Sequence, residues 1–164
     1  MSYRGRIGVG IAMLSTALLS CELLLTRIFS VVIWYHFAFF AISVALFGTG
    51  AAAIVVHLGQ RLIPESRTPV VLTLSCIALG WVIFGLDYFL IHLHPDWFGT
   101  SAPSFFPSVT GRLLVVFAAT AAPFFVGGLA ISLAMTRYAR HIHRLYSWDL
   151  LGAGLGCVIV IPLL

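Results

Sequence analysis

Long apolar runs separated by short polar breaks dominate this chain, and each run is close to the length at which a helix crosses a bilayer. About 20 apolar residues are needed to span a hydrocarbon core of ~30 Å. Ile7 to Thr26 supplies the first such run, and Ile33 to Leu58 the second, with almost no polar break between them. The 52 residues from Ile7 to Leu58 are too many for one crossing, so two helices joined by a tight turn near Phe29 to Trp34 are expected. Pro69 to Leu93 forms a third run, Leu113 to Thr136 a fourth, and a fifth begins at Trp148. The pattern predicts an all-α fold, a polytopic membrane helix bundle of about five transmembrane helices. They fall at about residues 7–28, 33–58, 69–93, 113–136 and 148–164 of one membrane domain spanning 1–164.

The polar breaks set the orientation. With the N-terminus inside, the inner side holds Arg4, Arg6, Arg61, Arg67, Arg137, Arg140 and Arg144, and the outer side only Arg27 and Arg112. Such an excess over short loops follows the positive-inside rule, and in a bacterium it implies the cell inner membrane. The outer break at residues 94–110 mixes prolines with Trp97, Phe98, Phe105 and Phe106, as expected of an interfacial hairpin at headgroup level. The inner segment from Arg137 to Trp148 reads as a short amphipathic helix on the membrane surface. Its arginines fall at i, i+3 and i+7, while Ala139, Ile142 and Leu145 lie towards another face.

Composition agrees. Of 164 residues, 61% are apolar and 9% charged, against roughly 25% charged in soluble domains. All nine cations are arginine and there is no lysine. The net charge of +4 is scattered between apolar runs rather than gathered in a stripe, which excludes nucleic acid as a partner and points to anionic lipid headgroups. Cys21, Cys76 and Cys157 are isolated inside apolar runs, without metal or disulfide spacing. "LLSC" at Leu18 to Cys21 looks like a lipoprotein cleavage site. However, a further apolar run follows where a polar tether belongs, so the stretch is expected to be the outer half of a membrane helix. No two histidines share a depth on facing runs, since His36 is outer and His57 inner; no haem, metal or other cofactor is expected. No catalytic constellation is present.

The candidate chemistry centres on Glu22. It lies 15 residues past Ile7, so ~22 Å along a helix axis, where an unpaired charge is costly. Arg27, five residues on, falls about 140° around the helix and pairs poorly with it. His36 and Arg112, at the outer starts of the second and fourth runs, are better partners. Two readings stay open: a structural clasp between helices, or a proton or substrate site. Asp149 follows Ser147 by two residues, and with the fifth helix starting at Trp148 the pair reads as a first-turn acid and its N-cap. Gly48/Ala52, Thr49/Ala53 and Gly152/Gly156 are four apart, the spacing that brings membrane helices close. Pro123 predicts a kink in the fourth helix, with Gly127 and Gly128 adding freedom.

Two segments together carry a resemblance. "CELLLTRIFSVVIWYHFAFFAISVALFGTGAAA" and "RLYSWDLLGAGLGCVIVIPLL" resemble the membrane-embedded N-terminal region of spermidine-synthase-like proteins, and Ala122 to Ala134 fits the family's preceding helix. Glu22 and Arg27 match its first-helix acid and base. Leu145, Tyr146, Asp149, Gly152, Ala153 and Pro162 match its later inner-face motif. The resemblance implies a membrane domain that anchors a polyamine aminopropyltransferase-like soluble domain. The last run stops at "VIVIPLL" without a flanking charge or polar tail, so these 164 residues are expected to be a fragment of a longer protein, and the bundle itself is expected to bind a cationic or apolar substrate. The glycine-rich nucleotide loop and catalytic Asp of that soluble domain are absent here, so no catalytic residue carries over. Two other roles fit the same pattern: an accessory subunit packed against a larger membrane complex, or a transporter-like half domain.

Overall fold

A computed structural model of the chain describes residues 3–32, 37–59, 67–92 and 109–163. Every regular element among them is helical: α1 (Tyr3–Val32), α2 (Phe37–Gly59), α3 (Thr68–Ile91), α4 (Val109–Arg137) and α5 (Ile142–Val160). Short 3-10 turns at Ala139–His141 and Ile161–Leu163 flank α5. Four helices contain stretches long and apolar enough to cross a membrane: Ile7–Val31, Phe39–Gly59, Thr68–Ile91 and Thr110–Arg137. The protein is a multi-pass helical membrane bundle. The expected turn after the first helix, the outer hairpin and His36 fall largely or wholly outside the described residues.

α1 and α5 form one close pair. At Gly8 an added Cβ would meet the Trp148 ring at 2.5 Å, at Gly152 the Ala12 carbonyl oxygen at 2.1 Å, and at Gly156 the Thr16 carbonyl oxygen at 2.9 Å. The contact residues advance together along both helices, so the two run parallel. Gly8, Ala12, Thr16 and Ser20 recur every four residues on α1 and place a strip of small side chains against the glycines of α5. In lipid, where apolar surface gains nothing by leaving the solvent, this close backbone approach is what holds helices together.

α2 and α4 form the second pair, also parallel. Gly48 sits against Ala121 and Phe124, where a Cβ would lie 2.8 Å from the Phe124 Cβ, and Gly128 sits against Thr49 and Ala52. At the end nearer the start of α2, Phe40 and Phe47 pack on Phe117, with centroids 6.1 and 5.3 Å apart. Leu18 of α1 lies on Gly127 of α4, and Ile11 packs with Ala134, so α1 and α4 are antiparallel. α3 leans mainly on α4. The five helices therefore alternate in direction, as consecutive crossings do.

Two sequence expectations change. The segment before Trp148 is not a separate surface helix: beyond the 3-10 turn, Ile142 to Trp148 are the first two turns of α5. No glycine or proline interrupts Ile142 to Leu151, so nothing stops the helix from starting early. Ser147 is accordingly not an N-cap. Its hydroxyl donates to the His143 carbonyl at 2.8 Å, inside the helix.

Candidate functional site

The extension of α5 moves Asp149 from a helix start to its third turn, beside the middle of α1. Ser15 of α1 donates its hydroxyl to an Asp149 carboxylate oxygen and lies within 3.0 Å of the Ile11 carbonyl. Ser15 is eight residues past Ile7, which places this carboxylate about 12 Å along the spanning part of α1. Two further hydroxyls of α1 reach α5. Thr16 donates to the Gly152 carbonyl at 2.7 Å and Ser20 to the Gly156 carbonyl at 3.4 Å. The missing side chains of both glycines are what let these carbonyls come within reach.

Glu22 stands on the same side of α1, seven residues beyond Ser15. It is half-buried and makes no hydrogen bond or ion pair among the described residues. Glu22 and Asp149 line one groove of about 180 Å3, between α1, α2, α4 and α5. Ser15 and Thr49 bring hydroxyls to it, and Leu18, Leu46, Phe124 and Ile131 make apolar walls. Along α1 the two carboxylates are separated by about 10 Å, the rise of seven helical residues. An intramembrane carboxylate is costly to keep, and this groove holds two of them among apolar walls.

The other candidate residues are dispersed. Arg27 is exposed, one turn beyond Glu22, and no bond joins the two. Arg112 is 6% exposed near the start of α4 and does not reach Glu22. His36 lies outside the described residues. Of the inner-face motif, Tyr146 projects from the exposed side of α5, Asp149 faces α1, and Gly152 forms the closest contact of the α1–α5 pair.

Two features escape the run-by-run reading of the sequence. Asp87, an acid in the last two turns of α3, is exposed and lies within electrostatic reach of Cys21 on α1. Its signal is simple: a lone carboxylate inside an apolar run. The other is the hydroxyl series Ser15, Thr16 and Ser20, legible only once Gly152 and Gly156 are given a partner helix. No group of three or more potential metal ligands forms among the described residues. No protein-family model, curated protein or solved structure matches the chain.

Proposed function

We propose that this chain is the membrane domain of a spermidine-synthase-like protein of a bacterial inner membrane, and that its bundle binds an organic cation of the polyamine class. The observation that carries the reading is the pairing of Glu22 and Asp149 in one groove among apolar walls. A polyamine is a methylene chain bearing ammonium groups at intervals. Its charges call for carboxylates set apart along a line, and its methylenes for aliphatic surface between them. The groove offers both, with Ser15 and Thr49 as additional acceptors. Glu22 takes one ammonium and Asp149, held by Ser15, takes another.

In the role that the resemblance implies, the bundle also anchors a transferase-like soluble domain. The native protein then has an intact mass above that of these 164 residues. A mass equal to theirs removes the anchoring role.

Binding of labelled spermidine to the protein in lipid nanodiscs tests the cation site. Glu22→Gln and Asp149→Asn are each expected to weaken binding at least tenfold, about 1.4 kcal/mol, with thermal unfolding as the control for folding. No measurable spermidine binding by the unaltered protein rejects the reading. So does equal affinity in both well-folded variants.

A further inference from the structure

A second cavity, unrelated to the carboxylate groove, opens between α1, α3 and α4. It has a volume of about 290 Å3, at the low end of the ~300–1,000 Å3 typical of ligand sites. α1 contributes Ile7, Gly10 and Leu14, α3 contributes Leu72, Thr73 and Cys76, and alanines of α4 close it with Tyr138, the residue just past its end. The cavity exists because α3 rests mainly on α4 and leaves its side towards α1 open.

Its shape and position select an occupant. The α1 lining from Ile7 to Leu14 spans seven residues, and the α3 lining from Pro69 to Cys76 another seven. Each is about 10 Å of helix, so the cavity is a slot lying along the helix axes, in the direction that acyl chains take in a bilayer. Thr73 lines the slot, but its hydroxyl is already engaged with the Pro69 carbonyl at 2.9 Å. A polar solute would find little to bond.

The mouth is charged. Pro69 and Tyr138 mark the end of the slot where α3 begins and α4 stops. Exposed Arg67 stands two residues before Pro69, and exposed Arg140 two residues after Tyr138. Arg137 and Arg144 add to the positive charge of the same end. Guanidinium groups at headgroup level favour phosphate.

We infer that this slot between α1, α3 and α4 is a specific site for an anionic phospholipid, one acyl chain seated along Gly10, Leu14 and Cys76 and the phosphate held by Arg67 and Arg140. The lipid completes the bundle where α3 stands off from α1.

Native mass spectrometry of the protein in non-denaturing detergent, after incubation with phosphatidylglycerol or phosphatidylcholine, tests the assignment. The unaltered protein is expected to retain one phosphatidylglycerol, at least fivefold more than phosphatidylcholine. A side chain at Gly10 starts into open space, with no atom within 4 Å of an added Cβ, so Gly10→Phe fills the slot from α1. Thr73→Trp fills it from α3. Each is expected to abolish retention while leaving the unfolding temperature within a few degrees. The Arg67→Gln/Arg140→Gln variant keeps the chain site and is expected to lose the preference for phosphatidylglycerol. Full retention in both slot-filling variants overturns the site. An undiminished preference in the arginine variant overturns the headgroup contact. Selective retention of a non-phospholipid, such as an isoprenoid, overturns the assigned occupant.

Discussion

At the scale of single residues, glycines and carboxylates decide what this bundle can do, and their effects differ in size. The three hydroxyl bonds from α1 to α5 are worth about 0.6 kcal/mol each, the average for interhelical bonds in a membrane. Gly152 weighs more. A methyl there would lie 2.1 Å from the Ala12 oxygen and 2.6 Å from its Cα, both backbone atoms of a helix with no freedom to yield. Gly152→Ala is expected to destabilise the protein by about 1–3 kcal/mol, the usual cost of overpacking. Gly154, two residues on and on the opposite face of α5, has nothing within 4 Å of an added Cβ. Gly154→Ala is expected to be neutral or stabilising by up to about 1 kcal/mol through helix propensity alone. Unfolding of both variants in detergent, side by side, checks the contrast, and equal effects would mean that α1 and α5 do not meet there. Glu22 is visible in the sequence because an acid in an oily run has no camouflage. Asp149 is visible too, but its role is hidden. Polar Arg144, Ser147 and Trp148 look like a helix entrance, whereas backbone hydrogen bonding carries the helix through them.

Among helices, the informative relation is parallel pairing at sequence distance. The spans themselves are legible because hydrocarbon thickness sets run length, and the observed helices coincide with the apolar runs to within a turn or two at most ends. Pairing is less legible. Gly152 and Gly156 announce a close contact but not its partner, and the matching strip on α1 is disguised because two of its four members, Thr16 and Ser20, read as polar. Residues 140 apart lie side by side only when three intervening helices bring the chain back. This arrangement predicts a cross-link. In a background with the native cysteines replaced, Gly8→Cys with Trp148→Cys is expected to form a disulfide under mild oxidation, since the Cβ position at Gly8 already lies 2.5–2.9 Å from Trp148 ring atoms. Gly8→Cys with Ile161→Cys places the second sulfur at the far end of α5 and is expected to remain unlinked. Equal cross-linking of both pairs would count against a parallel α1–α5 contact.

For the molecule as a whole, the decisive question is whether α5 completes an odd number of crossings. By its own composition it is ambiguous. Arg144 in its first turn and Asp149 in its third interrupt it, and it is not among the helices apolar enough to span unaided. Its neighbours argue for a crossing. α1 crosses from its arginine-bearing start, and α5 runs alongside in the same direction, with Gly152 at Ala12 and Gly156 at Thr16. A helix packed in this way shares the depth of its partner. The cost of carrying Asp149 inward is offset by Ser15, which is already within the span. A crossing α5 puts the two ends of the bundle on opposite faces, with Arg67, Arg137, Arg140 and Arg144 at the face where α1 begins. A fluorescent protein that matures only in the cytoplasm is expected to be bright when fused before Met1 and dark when fused after Leu164. A periplasmic phosphatase is expected to give the reverse. If both fusions are bright, α5 returns to the inner face without crossing and Asp149 meets water. In that case the carboxylate groove loses its second acid, and Glu22 alone would have to hold a cation.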